Sequence, residues 1–269
     1  MMRDKTTEKH AFRLLLTGGG TGGHLFPAVA TAEKLSSRLP ESAILFIGTG
    51  RRLDRQHLER SGFAVRTIHS YGLKGKRPVE LLKALAVLPI SLIEACWQIL
   101  RFRPDVVCGV GGYVTGPVVA AAWLLRRPTV IHEQNSVPGL ANRQLGRLVD
   151  RVCISLPESA RFFSEDKTTL TGNPVRRPIL EAIKQRERPE NTAQTVLVLG
   201  GSQGAHRVNE LVTEAVLARS ETLGGLRVIH QTGSADEGWV SQRYRQAGID
   251  CLVASFFNNM AELYAQADL

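Results

Sequence analysis

Short apolar runs alternate with longer stretches of helical period along most of the chain. The runs at 13–17, 43–48, 65–69, 105–110, 129–132, 152–155 and 168–171 predict strands. The segments 27–38, 51–61, 79–101, 116–125, 140–149 and 157–164 between them predict helices. Leu14, Leu15 and Leu16 are apolar at every position rather than every second one. That is the mark of a strand buried on both faces. Strands and helices in alternation predict a parallel sheet with helices on both sides. The pattern breaks over 173–194. There Pro174 and Pro178 precede the charged stretch 184–190, which predicts a hinge followed by a surface linker. A second series then begins, with strands at 195–199, 226–231 and 251–256 and helices at 205–219, 235–246 and 258–266. The expected fold is α/β with two Rossmann-like domains, 1–172 and 195–269. The chain stops at Leu269, where a further strand is expected. A doubly wound domain usually has about five or six strands, so the second domain is expected to be incomplete.

Composition narrows the classes. The 269 residues are 43% hydrophobic and 22% charged, which suits a globular protein with a sizeable core. The net charge of +9 admits nucleic acid, an anionic membrane surface or phosphate-bearing ligands. No nucleic-acid recognition motif or aromatic stacking pattern accompanies it, so nucleic acid is not the expected partner. Cys96, Cys108, Cys153 and Cys251 form no CxxC pair. They are expected to be free thiols in a reducing compartment, with no metal bound. The polar start 1–10 does not resemble a signal peptide, and no window of about 18 apolar residues occurs. Any membrane contact is therefore expected to be peripheral.

Three glycine-rich segments each follow a predicted strand. They are Gly18-Gly19-Gly20-Thr21-Gly22-Gly23-His24, Gly109-Val110-Gly111-Gly112-Tyr113 and Gly200-Gly201-Ser202-Gln203-Gly204. Glycine lets the backbone approach a ligand without a Cβ in the way. Backbone N–H groups at a following helix start attract phosphate. A single such loop is usually only a tight turn. Three at the carboxyl ends of parallel strands predict a ligand crevice. A dinucleotide site also wants an acidic residue ending the second strand. Here that strand ends Ile47-Gly48-Thr49-Gly50, so no nicotinamide cofactor is expected, nor any other.

The segments Gly19–His24, Pro104–Val107, Gly111-Gly112-Tyr113, His132-Glu133-Gln134-Asn135, Gly172-Asn173-Pro174-Val175-Arg176 and Gly200–Gly204 occur in one order across nearly the whole chain. In this the sequence resembles the MurG family, the bacterial undecaprenyl-diphospho-muramoylpentapeptide β-N-acetylglucosaminyltransferases. The resemblance implies a GT-B fold with a cleft between its domains. It also implies inverting transfer of N-acetylglucosamine from UDP-N-acetylglucosamine to a polyprenyl-linked muramoyl-pentapeptide at the cytoplasmic face of the plasma membrane. Donor contacts are implied at Thr21, Gly22, Gly23, Asn135, Arg176, Ser202 and Phe257. Physical readings accompany them. The Asn135 amide bonds hydroxyls in both senses, Arg176 offers a fork of donors for phosphate, and Phe257 stands at the uracil edge with its backbone amide. Acceptor contacts are implied at Gly19, Gly20 and Tyr113. His24 is the first candidate for the base, since an imidazole titrating near ~6.5 is neutral at neutral pH. Glu133 is the second. His57 and His69 have no supporting neighbours in sequence and are expected to be surface or core residues. The family's next loop and last helix lie beyond Leu269, so the chain itself is expected to bind donor poorly and turn over little.

For membrane contact the sequence offers Lys74, Lys76 and Arg77 followed by Leu81 and Leu82 at the start of a long helix. The plainer reading is an amphipathic helix whose stripe of Leu81, Leu85, Leu88, Leu92 and Cys96 packs on the sheet. Two rivals remain: an epimerase of UDP-N-acetylglucosamine with this architecture, and a non-catalytic module that holds lipid acceptor and needs a second chain for donor.

Overall fold

A computed structural model describes residues 11–19, 22–48, 50, 58, 61–71, 78–186, 194–201, 204–219 and 225–269, with backbone alone for 22 and 78–85. The chain divides into two compact units, Met1–Val175 and Arg176–Leu269.

The first unit runs β1 (Arg13–Thr17), α1 (Gly22–Arg38), β2 (Ala43–Gly48), β3 (Ala64–Thr67), α2 (Pro78–Phe102), β4 (Val106–Gly109), α3 (Thr115–Leu124), β5 (Thr129–Glu133), α4 (Leu140–Leu145), β6 (Arg151–Ile154) and β7 (Thr168–Leu170). Its strands form one parallel sheet in the order β3-β2-β1-β4-β5-β6-β7. Successive side chains on a strand point to opposite faces. Leu14 and Leu16 therefore join Leu25, Ala28 and Phe46 under α1, while Leu15 joins Ala95, Ile99, Val118 and Ala121 under α2 and α3. Burial on both faces explains why the run carries no polar position. The segment 157–164, read as a helix, is a 3-10 helix over Pro157–Phe162.

Strand order reverses between β1 and β4, whose register pairs Thr17 with Gly109. A crevice opens at such a switch point, beyond the carboxyl ends of the strands.

The second unit begins inside the segment read as hinge and linker. Residues Arg177–Lys184 form α5, with Arg176 at its N-cap position and Pro178 in its first turn. Proline there gives up an N–H that has no intrahelical partner anyway, so it starts the helix rather than breaking it. Then come β8 (Thr195–Leu199), α6 (His206–Ala218), β9 (Arg227–Gln231), α7 (Glu237–Gln246), β10 (Asp250–Ala254) and α8 (Met260–Gln266), with a parallel sheet ordered β10-β9-β8. Helices α5 and α8 pack together. Arg186 reaches the Ala267 carbonyl and Asp268, whose carboxylate also accepts from the Thr195 amide at 2.8 Å.

Under α6 and α7 lies a polar network. Tyr244 donates to His230 Nδ1 at 3.1 Å, and His230 Nε2 donates to Asn209 Oδ1 at 3.1 Å. Asn209 then donates to the Thr232 carbonyl at 2.8 Å and to Asp236 at 2.7 Å. Burial pushes the His230 imidazole down to about 4, against the pull of the Asp236 carboxylate. Unfolded, His230 takes its proton near 6.5; folded, it takes none until about 4. Between those values the unfolded chain binds more protons, so stability of this unit falls as the pH is lowered through that window. Urea unfolding of a Trp97→Phe, Trp123→Phe chain, followed by Trp239 emission, should show the midpoint dropping from pH 7 to 4.5. A midpoint flat across that range would remove His230 as the cause.

Candidate active site

The carboxyl ends of β1 and β4 meet at close quarters. The Val110 amide donates to the Thr17 carbonyl at 2.9 Å, extending the pairing one residue past the strand. Thr115, at the start of α3, donates to the Gly111 carbonyl at 2.8 Å and fixes the turn. Gly112, at φ +88°, lies so near the first glycine loop that a Cβ would sit 2.3 Å from the Gly19 carbonyl oxygen. Gly111, at φ +103°, faces the imidazole of His24, and a Cβ there would fall 2.6 Å from Nδ1. No side chain fits in either place. The two glycine turns thus stack backbone on backbone, with His24 against the second.

Helix α1 starts at Gly22, several residues before the expected Pro27. Gly22, Gly23 and His24 therefore form its first turn, where N–H groups lack intrahelical acceptors. His24 Nδ1 lies 3.1 Å from the Val110 carbonyl and 3.2 Å from Gln134 Oε1. Both partners accept, so Nδ1 carries the proton and Nε2 bears the lone pair. Among the described residues Nε2 has no partner. That is the arrangement a general base needs.

The segment after β5 contributes the rest. Glu133 is 1% exposed. One carboxylate oxygen accepts from the Asn135 backbone amide at 2.9 Å and from Asn135 Nδ2 at 2.8 Å. The other accepts from the Gly139 amide at 3.2 Å and from Asn142 Nδ2 at 3.0 Å. Four donors fill the four lone-pair positions of a carboxylate. This corrects the expectation of Glu133 as a base: its buried oxygens are engaged, and its work is to hold the 135–139 turn. Asn135 is exposed, with one amide hydrogen given to Glu133.

His132 is buried beneath them. Burial pushes its imidazole down, opposed by its bond to Gly172 and by the charge of Glu133. His69 is exposed, and its ring Nδ1 and its amide each meet the Glu94 carboxylate at 2.7 Å; His57 lies outside the described residues. Ser70 beside it donates to the Tyr113 carbonyl at 3.2 Å, tying the end of β3 to the turn that carries Tyr113.

In the second unit Arg176 is half-buried ahead of α5. Phe257 differs from expectation. Its ring packs with Ile229 and Leu263, and its amide donates to Gln231 Oε1 at 2.9 Å, so the N–H proposed to meet uracil is already engaged. Gly20, Thr21, Ser202, Lys74, Lys76 and Arg77 lie outside the described residues, and Leu81 and Leu82 fall where only the α2 backbone is described. The residues that sequence reasoning gave no role are Gln134, His132, Asn142 and Gln231. The His132-Glu133-Gln134-Asn135 quartet was the available signal, with four polar side chains in a row at the end of a buried strand.

Parallel sheets flanked by helices in two units, with glycine turns at a switch point, are the architecture of the GT-B glycosyltransferases. Residues 14–154 match the glycosyltransferase family 28 N-terminal domain and residues 195–269 its C-terminal domain. The chain belongs to glycosyltransferase family 28. It is 58% identical over 259 residues to the UDP-N-acetylglucosamine–N-acetylmuramyl-(pentapeptide) pyrophosphoryl-undecaprenol N-acetylglucosamine transferase of Desulfotalea psychrophila, covering 96% of this chain and 70% of that protein. The enzyme of the same description from Geotalea daltonii is 43% identical, at 95% and 70% coverage. Among solved structures, Acinetobacter baumannii MurG is 28% identical with a TM-score of 0.65, covering 96% of this chain and 70% of that one. The UDP-GlcNAc 2-epimerase of Neisseria meningitidis has a TM-score of 0.66 at 15% identity, over 95% of this chain and 76% of that one, a likeness of fold alone.

Substituting Glu133→Gln replaces an acceptor with an NH2 group facing N–H donors. The amides of Asn135 and Gly139 should then lose hydrogen-exchange protection about ten-fold or more, as an unfavourable buried contact of about 1–3 kcal/mol implies. Unchanged protection would mean that Glu133 does not hold this turn.

Proposed function

We propose that this chain is a hexosyltransferase of peptidoglycan synthesis. It transfers N-acetylglucosamine from UDP-N-acetylglucosamine to undecaprenyl-diphospho-N-acetylmuramoyl-pentapeptide, forming the β-1,4-linked disaccharide lipid. The observation that carries this is the 58% identity to a transferase of that description along 96% of the chain. The site chemistry agrees with it. His24 Nε2 takes the proton of the acceptor hydroxyl as its oxygen attacks the anomeric carbon. The bond to UDP breaks on the opposite side, inverting the centre, and the electron pair leaves with the diphosphate. Backbone N–H groups of the Gly22-Gly23 helix start suit the charge on the phosphates. The resemblance adds Ser202 and Arg176 as donor contacts of the second unit. Tyr113 and Gly19 belong to the acceptor side, and Asn135 bonds the donor sugar. The epimerase reading has only likeness of fold behind it.

A polyprenyl acceptor requires the enzyme to reach a membrane. No helix among the described residues is long and apolar enough to cross one. Helix α2 is apolar on two faces. Ala95 and Ile99 are fully buried against the sheet, while Ile90, Ile93, Trp97 and Leu100 are 50%, 69%, 56% and 55% exposed on the other side. The Arg101 guanidinium lies over the Trp97 ring, 5.5 Å from its centre. Exposed Trp123 and Leu124 end α3, which packs on α2 and is followed by Arg126 and Arg127. Apolar rings with arginines at their edge suit the headgroup region of an anionic leaflet. We read this face, together with the basic residues Lys74, Lys76 and Arg77 that precede the helix in sequence, as the peripheral contact.

Two measurements bear on these readings. In the chain carried on through the family's next loop and last helix, labelled sugar should pass from UDP-N-acetylglucosamine to the extractable lipid, and His24→Ala should slow this by about 100-fold, the lower range for losing a general base. Absence of any transfer by that extended chain, or a rate indifferent to His24, would sink the assignment. Partition to anionic vesicles should fall at least ten-fold in Ile93→Glu/Trp97→Glu. It should also be abolished in Lys74→Glu/Lys76→Glu/Arg77→Glu, at about 1 kcal/mol per basic residue near the surface. Equal partition of all three proteins would remove the proposed contact.

A further inference from the structure

Two acceptors behind the His24 ring keep the receiving nitrogen bare, the Val110 carbonyl at 3.1 Å from Nδ1 and Gln134 Oε1 at 3.2 Å, and the second is a side chain that must itself be held oxygen-first. Neutral imidazole in water prefers its proton on Nε2, the nitrogen that must accept. A chain of hydrogen bonds behind the ring reverses that preference. It starts at the Gly172 carbonyl, which can only accept and lies 3.1 Å from His132 Nε2. The Ser155 hydroxyl, 3.2 Å from the same nitrogen, can accept as well, so His132 is protonated on Nε2 and its Nδ1 accepts. The group 3.0 Å from that Nδ1 is the Nε2 of Gln134. The same amide nitrogen lies 2.9 Å from the Val110 carbonyl, a second pure acceptor. Both hydrogens of the Gln134 amide are thus committed, and two independent acceptors fix which end of the amide faces them. Its oxygen is left turned to His24 Nδ1 at 3.2 Å. An oxygen there demands the proton on Nδ1.

We propose that Gln134, oriented by His132, is a positioning residue that holds His24 in the Nδ1–H tautomer and so keeps Nε2 ready for the acceptor hydroxyl. The inference rests on the transferase reading for its purpose, but not for its test. His132 stays neutral because burial pushes its imidazole down, which preserves the accepting Nδ1. The chain ends at Gly172, whose φ of +72° belongs to the turn closing the first unit. The register of that turn therefore reaches the base through two side chains.

The test is nitrogen NMR of the chain labelled with 15N-histidine at a pH where its imidazoles are neutral, with His24→Gln and His132→Asn giving the assignments. Expected in the unaltered protein are a protonated Nδ1 and bare Nε2 at His24, and the reverse at His132. Gln134→Met removes the oxygen, and the His24 nitrogens should shift toward each other as the Nε2–H form appears. Gln134→Glu keeps an oxygen facing His24 Nδ1 and should restore the Nδ1–H pattern there, while its second oxygen, set where the amide nitrogen donated to His132 Nδ1, should draw the His132 proton to that nitrogen; a role in packing alone would do neither. A protonated Nε2 at His24 in the unaltered protein, or a Gln134→Met spectrum identical to it, overturns the proposal. Should Gln134→Met fail to fold, the unaltered protein and Gln134→Glu still decide. None of these readings requires turnover, so the tautomer proposal and the transferase assignment fail separately.

Discussion

One carbonyl oxygen organises the first unit's functional end. Val110 leaves β4 where the strand order reverses, and its amide is still tied to β1. Its oxygen therefore points into the crevice from a rigid support. The ring nitrogen of His24 and the side-chain amide of Gln134 converge on it. Those side chains come from α1 and from the end of β5, elements far apart in sequence that the parallel sheet brings to one edge. The glycines at 111 and 112 exist to let this happen, since any side chain there would strike the ring or the neighbouring turn. Substitution at Gly111 would thus be felt first at His24.

Most of the architecture was legible from periodicity. Triplets such as Leu14-Leu15-Leu16 announce a strand with helices on both sides, and β1, β2 and β8 have the bounds that their apolar runs suggested. Errors gathered where side chains compete with that pattern. Pro27 looks like a helix start, yet α1 begins at Gly22, because glycines freed for phosphate contact can also wind a first turn. Pro178 looked like a linker residue for the same reason in reverse.

The site was legible in its members more than in their roles. His24 sits in the first turn of α1 and Asn135 just past β5. Glu133 does not behave as a lone carboxylate would, because its partners at Asn142 and Gly139 are set by a helix start that no motif displays. Gln231 engages the Phe257 amide across 26 residues, a contact that spacing cannot reveal. Sequence shows which groups are present. Whether each is spoken for depends on neighbours chosen by the fold.

The bond between His24 and Gln134 also decides how the catalytic cycle closes. A carboxamide passes hydrogen bonds along but does not conduct protons, since its nitrogen would have to lose one and its oxygen keep one. The ring's rear face is therefore sealed, and whatever arrives at Nε2 must depart from Nε2. For the base proposed at His24, regeneration then belongs to the Nε2 side of the ring, to solvent or to the departing phosphate.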